Sequence, residues 1–198
     1  MLNQKHICIF ASSSENLAPR YYTLAKELGK ELAFSGAALI FGGGRHGLMG
    51  ALASGAAQNG GRIIGVVPEL LNKPGITFKG CTELHCTGTM HSRKQFMEDM
   101  ADGFIALPGG FGTLEELLEV LTLRQLGYHN KPIVLLNADC FFDPLLEQFE
   151  QIFKEGFAHT AFRSLYELAY TPKEAVRLVL EHELIKFPSK LRDLEVSV

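Results

Sequence analysis

The chain has 198 residues, of which 46% are hydrophobic, and its formal net charge is −3. That length fits one α/β domain with a sizeable core, and the slightly acidic balance argues against a general nucleic-acid binder, which would carry a basic face. The sequence has no apolar run of membrane-spanning length, and its N-terminal apolar run is too short for a signal peptide. We therefore expect a soluble cytoplasmic protein that binds neither nucleic acid nor membrane. One domain over residues 1–186 and a polar tail over 187–198 are predicted.

The cysteines and histidines give no sign of a metal site. No C-x-x-C pair occurs among the four cysteines, which are Cys8, Cys81, Cys86 and Cys140. Buried, reduced thiols are the simplest interpretation of them. His46 and His91 fall near the loops described below, but no spacing typical of metal ligands accompanies them.

In chain order, short apolar runs alternate with stretches of helical periodicity. Helix 19–34 begins at a proline and ends before Gly36. The predicted strands cover residues 6–11, 37–41, 62–67, 83–86, 104–107 and 133–136. The predicted helices cover residues 19–34, 48–60, 89–101, 113–126, 141–155, 163–169 and 172–186.

Alternation of continuous apolar strands with helices is typical of a parallel sheet covered on both faces. The sequence therefore predicts a single α/β domain with a doubly wound, Rossmann-like sheet. Such sheets bind ligands beyond the carboxyl ends of their strands, near the switch point in strand order. Three glycine- or serine-rich loops, at residues 11–14, 42–47 and 108–112, leave strand ends. We expect them to lie side by side around one ligand.

The most informative stretch is 103–123, GFIALPGGFGTLEELLEVLTL. A strand that breaks into glycines and continues as a helix exposes backbone N–H groups and the positive end of the helix dipole, which together favour a phosphate. The first helical turn also carries Glu115 and Glu116, which a phosphate site does not need. Thr113 and Glu116 could form a capping box, so Glu116 is open to a structural and to a catalytic interpretation.

Helix 89–101 carries an arginine on its apolar face. Arg93 lies three residues after Met90 and four before Met97, on the stripe that Met100 and Ala101 complete. An inward-facing arginine is costly unless it meets an anion or hydrogen-bond acceptors. The alternatives are a ligand contact, a structural ion pair and a side chain that extends to the edge.

The loop 42–47 reads G-G-G-x-x-G, close to the dinucleotide fingerprint G-x-G-x-x-G. Its glycines could allow close approach to a phosphate or ribose, or could simply form a tight turn. The acidic residue that binds an adenosine ribose about 20 residues later is not clearly placed, with Glu69 the nearest candidate. NAD-dependent oxidoreduction is therefore disfavoured.

Three motifs in order are similar to those of a known family. PGGFGTLEE at 108–116 resembles P-G-G-x-G-T-x-x-E of the LOG family, FGGGRHGLMG at 41–50 resembles its Y-G-G-G-x-x-G-L-M-G loop, and MHSRKQFM at 90–97 resembles its M-H-x-R-K segment. These proteins are cytokinin riboside 5′-monophosphate phosphoribohydrolases, often labelled lysine decarboxylases. The similarity covers roughly residues 5–185. The chain departs from the family pattern at Ala11, Gly75 and Phe111.

The resemblance implies hydrolysis of the N-glycosidic bond of a nucleoside 5′-monophosphate, either a cytokinin riboside monophosphate or AMP, to free base and ribose 5-phosphate. It implies Arg93 and Glu116 as the catalytic pair, a homodimer, and neither a metal nor a cofactor. Lys94 is expected to bind substrate, although its position on the helix predicts more exposure than that of Arg93. The expected substrate-binding positions are Gly42, Gly43, Gly44, Met90, Lys94, Gly109, Gly110, Phe111, Gly112, Thr113, Leu114, Glu115 and Thr122.

One other function remains as an alternative, and the decarboxylase label fits the sequence poorly. A non-catalytic nucleotide or molybdenum-cofactor carrier on the same fold would not need the Arg93–Glu116 pair. A pyridoxal-dependent decarboxylase would need a buried Schiff-base lysine with a partner for the ring nitrogen, and the sequence marks none.

Overall fold

The computed structural model describes residues 4–182, and its centre is a parallel sheet of seven strands in the order β4-β3-β2-β1-β5-β6-β7. Every strand pair in the sheet is parallel. This confirms the predicted α/β, Rossmann-like fold class. The strands are β1 His6–Phe10, β2 Ala38–Phe41, β3 Ile63–Pro68, β4 Glu83–Thr87, β5 Gly103–Ala106, β6 Ile133–Leu136 and β7 Glu167–Ala169.

Six α-helices connect these strands and cover both faces of the sheet. Helices α1, α2 and α6 pack on one face, and α3, α4 and α5 pack on the other. The helices are α1 Pro19–Phe34, α2 Gly47–Gln58, α3 Met90–Met100, α4 Phe111–Leu126, α5 Asp143–Lys154 and α6 Pro172–Glu181. Short 3₁₀ turns cover Glu69–Leu71, Ala138–Cys140 and Thr160–Leu165.

The continuous apolar runs of the central strands follow from this two-sided covering. In β1, Ile7 and Ile9 face the α1–α2–α6 side, while Cys8 and Phe10 face the α3–α4–α5 side. All four side chains are buried. Because successive side chains of a strand point to opposite faces, a strand with both faces covered must be apolar throughout.

The switch point lies between β1 and β5, at the centre of the sheet. Here the strands pair in register, with Ile9 opposite Ile105, and the chain leaves β1 towards one face and β5 towards the other. The loops after β1, β2 and β5 therefore open together at the carboxyl edge of the sheet, as the sequence predicts.

Helix 163–169 was the one wrong element prediction. The chain there forms the 3₁₀ turn Thr160–Leu165 and then β7, which pairs in parallel with β6 through Val134 and Glu167. The free edge of β6 supplies a hydrogen-bonding partner that local propensity does not reveal, so tertiary pairing overrides the helical signal.

The helix ends agree with their sequence signals where they are described. Helix α1 begins at Pro19, and Gly36 just after it has a φ of 77°, a conformation that favours glycine. Helix α6 ends at Glu181, and the rest of the predicted helix 172–186 and the tail 187–198 lie outside the described residues.

The cysteines are free, but the prediction that all are buried is wrong. Cys8 is buried and Cys81 is half-buried, whereas Cys86 on the edge strand β4 and Cys140 in a 3₁₀ turn are exposed. Within residues 4–182, no helix has the length and apolar character needed to cross a membrane.

Candidate active site

A cavity of ≈ 270 Å³ lies at the switch point, where the loops after β1, β2 and β5 meet α3. This volume is close to the lower end of the usual range for small-molecule sites, about 300–1,000 Å³. The three loops therefore surround one space, as the sequence predicts. The lining residues are Ile9, Ala11, Ser12, Ser13, Ser14, Gly42, Met49, Met90, Arg93, Met97, Gly110, Phe111, Gly112, Thr113 and Glu116.

The N-terminus of α2 is already occupied by the loop after β1. The carbonyl of Ser12 accepts hydrogen bonds from the backbone N–H groups of Leu48, at 2.9 Å, and Met49, at 3.3 Å. Gly47 has a φ of 59° and lies so close to the serine loop that a Cβ would come within 2.6 Å of the Ser14 carbonyl oxygen. The amides of this helix end are thus used within the protein rather than offered to an anion.

The N-terminus of α4 is open to the cavity instead. The helix begins at Phe111, with Gly110 as its extended N-cap and no side-chain cap. Its first backbone bond runs from the N–H of Leu114 to the carbonyl of Gly110, so the preceding amides have no intrahelical partner. Three residues that carry them, Phe111, Gly112 and Thr113, line the cavity. Unpaired amides at the positive end of a helix dipole favour an anion.

This start contradicts the predicted capping box and the predicted helix start at residue 113. Thr113 lies in the first turn of α4 rather than before it, and Glu116 does not reach back to its N–H. The Gly110 backbone turns into the helix without side-chain help, which lets α4 begin two residues earlier. The structural interpretation of Glu116 as a cap is therefore wrong.

The glycines of the 108–112 loop differ in what they make room for. A Cβ on Gly109 would lie 2.2 Å from Oγ1 of the buried Thr113, so this glycine is required by internal packing. A Cβ on Gly110 or Gly112 would meet nothing within 4 Å. These two residues keep the space above the helix start clear.

Arg93 reaches the cavity from α3 and is fixed at two points. Its Nε donates to the carbonyl of Val66 at the end of β3, at 3.1 Å, and its Nη1 donates to Oε1 of Glu116 at 3.0 Å. Both partners of this ion pair are nearly enclosed, with 8% of the Arg93 side chain and 14% of the Glu116 side chain exposed. The structural alternative of a snorkelling arginine is thereby excluded, and the inward orientation is confirmed.

Burial and Arg93 act on Glu116 in opposite directions. Burial penalises the charged carboxylate and raises the pKa of Glu116, while the guanidinium of Arg93 lowers it; burial dominates, so the pKa is raised above its ordinary value. A carboxyl group with a raised pKa that faces a cavity and one fixed cation is suited to exchange protons with a ligand or water.

Gly42 is explained by Arg93. A Cβ on Gly42 would lie 2.1 Å from Nη2 of Arg93, so only glycine lets the guanidinium lie against the end of β2. Gly43 and Gly44 do not line the cavity. Gly43 has a φ of 69° and accepts a hydrogen bond from the N–H of Phe78, and Gly44 forms a β-bridge with Thr77. For these two glycines the tight-turn interpretation fits the structure.

Five other predicted substrate-binding residues also lie away from the cavity lining, and Gly109, which packs against Thr113, is one of them. Leu114 packs into the core of the α3–α4–α5 face, and Thr122 is exposed on α4, where its hydroxyl donates to the carbonyl of Leu118. Lys94 is buried rather than exposed and pairs with Glu115 and Glu119. Glu115 therefore has a protein partner that the sequence did not reveal.

Two lining residues were not singled out from the sequence, namely Ile9 and Met49. Ile9 is indistinguishable from any other core residue of β1. Met49 follows the 42–47 loop directly, so its place in the glycine motif was the available signal. With Met90 and Met97 they contribute apolar surface to the cavity lining.

The cavity does not fit a pyridoxal Schiff base. Among residues 4–182, none of the side chains that line it is a lysine, and the amine of Lys94 is turned to Glu115 and Glu119 instead. The described part of the chain also contains no cluster of three His, Cys, Asp or Glu residues that could hold a metal ion. Glu69, the candidate ribose acid, is exposed on a 3₁₀ turn and does not line the cavity.

Sequence comparison places this geometry in a family. A family model described as "Possible lysine decarboxylase" matches residues 49–179. A probable cytokinin riboside 5′-monophosphate phosphoribohydrolase of Oryza sativa subsp. japonica is 45% identical over 179 residues, which cover 90% of this chain and 73% of the relative. A cytokinin riboside 5′-monophosphate phosphoribohydrolase of Arabidopsis thaliana is 45% identical over 180 residues, 90% of this chain and 82% of the relative. The chain belongs to the LOG family. Its three motifs supply most of the cavity lining, and β1 with the loop after it supplies the rest.

Structural comparison agrees with the fold. A molybdenum cofactor binding protein from the phototrophic bacterium Rippkaea orientalis superposes with a TM-score of 0.70 at 24% identity, covering 91% of this chain and 98% of that one. At 24% identity, this similarity shows that the LOG-family chain and that protein share a fold.

Proposed function

We propose that this LOG-family protein is a phosphoribohydrolase that cleaves the N-glycosidic bond of a cytokinin riboside 5′-monophosphate or of AMP. Water is consumed, and the products are the free base and ribose 5-phosphate. The observation that carries the proposal is the enclosed Arg93–Glu116 pair, with 3.0 Å between Nη1 and Oε1, which lines the same cavity as the open N-terminus of α4. A carrier would need the anion site but not the buried acid.

The 5′-phosphate would dock on the amides at the start of α4. Unpaired N–H groups and the helix dipole favour a dianionic group at this point. Gly110 and Gly112 leave the approach free of side chains. The base would then lie toward the apolar surface of Met49, Met90 and Met97, on the far side of the ribose.

Glu116 would act on the ribose. As the bond between C1′ and the base nitrogen breaks, positive charge develops on the ribose ring, and a carboxylate beside it stabilises that charge. Glu116 would also accept a proton from the attacking water, whose oxygen bonds to C1′. The proton that the base needs comes ultimately from this water, so atoms and charge balance.

Arg93 would orient Glu116 and favour its charged form against the effect of burial. Its Nε bond to Val66 ties the guanidinium to β3, so the carboxylate is held relative to the sheet rather than to α3 alone. The opposed effects of burial and Arg93 leave Glu116 with a raised pKa, which suits a group that accepts and returns a proton in each turnover.

A substrate panel tests the proposed function. The protein is incubated with AMP, with isopentenyladenosine 5′-monophosphate and with the matching nucleosides that lack phosphate, and free base is measured by chromatography. We expect base release from the monophosphates and at least tenfold slower release from the nucleosides. Tight binding of a monophosphate without any base release would instead favour a carrier and contradict the proposal.

We further propose that the protein is a homodimer. Large apolar side chains on α3 and α4 are exposed, namely Met90 at 51%, Phe111 at 92% and Leu118 at 42%. A second copy that covers them would remove this surface from water. Light scattering coupled to size-exclusion chromatography should give twice the mass of the chain, and a monomer at micromolar concentration would overturn the proposal.

A further inference from the structure

Lys94 follows Arg93 directly on α3, but its amine is turned away from the cavity. The residue is only 8% exposed and does not line the cavity. Its Nζ donates to Oε1 of Glu115 and lies 2.8 Å from Oε2 of Glu119, both on α4. Two of the three N–H donors of this ammonium group are therefore directed at carboxylates of α4.

The two acids that hold Lys94 lie one helical turn apart, on one side of α4. A cation clamped between them resists rotation and sliding of α4 relative to α3. Glu116 is the next residue after Glu115 and points about 100° away around the helix axis, toward Arg93 and the cavity. Consecutive cations on α3 thus meet two sides of the same turn of α4.

The clamp formed by Lys94, Glu115 and Glu119 depends on the charge of the lysine amine. Burial lowers the pKa of Lys94, but the hydrogen bonds to Glu115 and Glu119 outweigh it and raise the pKa, so the amine stays charged. A third carboxyl group, that of Glu98 on α3, interacts with Glu119. Burial together with Glu119 raises the pKa of Glu98 to about 7. Without the amine, the half-buried acids Glu98 and Glu119 would lose the cation beside them, and their mutual repulsion would push α4 away from α3.

We propose that Lys94 is a positioning residue, which sets the rotation of α4 so that Glu116 meets Arg93 and the substrate, and is not itself a substrate contact. This inference rests on the proposed function in one respect, the role of Glu116. It reassigns Lys94 from the substrate-binding role that the family resemblance implies.

The test compares Lys94→Met with the double variant Lys94→Met/Glu119→Gln. Methionine keeps the apolar stem and removes the charge, and glutamine then removes the acid left without its partner. For the single variant we expect kcat for base release to fall at least tenfold, with KM and the dissociation constant for ribose 5-phosphate within threefold of wild type. Relative to the single variant, the double variant should regain at least a third of the decrease in log kcat. It should also regain most of the decrease in melting temperature.

A substrate-contacting lysine gives the opposite pattern. Lys94→Met would then weaken ribose 5-phosphate binding at least tenfold, and Glu119→Gln would restore neither binding nor kcat. That result, or wild-type kcat in the single variant, overturns the proposal. Lys26→Met, which removes an exposed lysine from α1 on the other face of the sheet, is the matched control and should change nothing.

Two further outcomes are covered by the design. If Lys94→Met does not fold, the double variant alone decides, because normal ribose 5-phosphate binding supports positioning and weak binding contradicts it. If the wild-type protein releases no base from any monophosphate, the proposed function fails separately. Rescue of the melting temperature by Glu119→Gln still tests whether Glu115 and Glu119 clamp Lys94. A lack of rescue contradicts that role for the two acids.

Discussion

The two pairs of helices that flank the central strands are held together in different ways. Helices α1 and α2 touch through their backbones, because a Cβ on Gly29 would lie 2.0 Å from the carbonyl oxygen of Leu52 and one on Gly55 would lie 2.0 Å from that of Lys26. Helices α3 and α4 meet through two buried cations and their carboxylates. Apolar contact and close backbone approach stabilise the α1–α2 pair without burying charge. The α3–α4 pair holds charges whose removal from water costs free energy.

The difference separates what holds the fold from what builds the site. The cavity is lined by the charged pair, by loops and by apolar side chains; among the described residues, α2 contributes Met49 and α1 contributes none. Substitutions between α1 and α2 should therefore change stability with little effect on chemistry, and substitutions between α3 and α4 should change chemistry first.

The largest combined loss of activity and stability is expected for Arg93→Met, which removes one side of the buried pair. Glu116 then loses the cation that lowers its pKa, so that pKa rises further and the active carboxylate is present only at higher pH. We expect kcat/KM to fall at least about 100-fold and the acid limb of its pH profile to move to higher pH. The free energy of unfolding should fall by about 3–5 kcal/mol at pH 8.

Destabilisation by Arg93→Met should be smaller at pH 5, where Glu116 takes up a proton in place of its partner. Arg93→Lys, which keeps a charge but cannot bond both Val66 and Glu116 in the same way, should retain more stability than activity. A methionine variant with a tenth of wild-type kcat/KM, or with an unmoved acid limb, would exclude Arg93 from the mechanism.

A smaller effect, confined to stability, is expected for Gly29→Ala. The new methyl group would collide with the backbone of α2, which must shift, and such overpacking costs about 1–3 kcal/mol. Urea denaturation should show this loss, while base release per folded molecule stays near that of wild type. Gly88→Ala is the control, since a Cβ there meets nothing within 4 Å. Equal stability of the two variants would contradict the close packing of α1 against α2.

The smallest effect is expected for Glu98→Gln, and it depends on pH. Burial and Glu119 raise the pKa of Glu98 to about 7, so the protonated form favours the folded state. That contribution is complete below the unfolded pKa of about 4.3 and is lost as the pH rises through about 7. The variant should therefore melt roughly 1–3 °C higher than wild type at pH 8 and close to wild type at pH 5.

Exposed Glu147→Gln on α5 serves as the control for Glu98→Gln and should alter the melting temperature little at either pH. A gain for Glu98→Gln at pH 5 but none at pH 8 would reverse the sign of the argument. It would show that burial and Glu119 do not raise the pKa of Glu98.

The sequence was most informative where a pattern is local. Continuous apolar runs identified five of the strands, and Arg93 could be placed inward because it interrupts a stripe of methionines on one helix. Glu116 was harder, since its spacing from Thr113 equally suits a cap. Only the actual start of α4 at Phe111, set by the Gly110 backbone, decided between these interpretations.

What the sequence could not reveal depends on contacts between distant segments. Lys94 is buried because acids from α4 lie across from it, and no spacing on α3 records that. Strand β7 forms because the edge of β6 is free to pair. The roles of Gly42 and Gly43 differ only through what their missing side chains would strike, which are Arg93 and Val67.

The most direct test of the central claim is base release by Glu116→Gln. Glutamine keeps the size of the side chain and can still accept a hydrogen bond from Arg93, but it carries no negative charge and cannot accept the proton of water at neutral pH. We expect release from AMP or isopentenyladenosine 5′-monophosphate to fall at least about 1,000-fold, with the melting temperature and ribose 5-phosphate binding near wild type. Near-normal release by this variant would contradict the assignment of Glu116 as the catalytic acid–base.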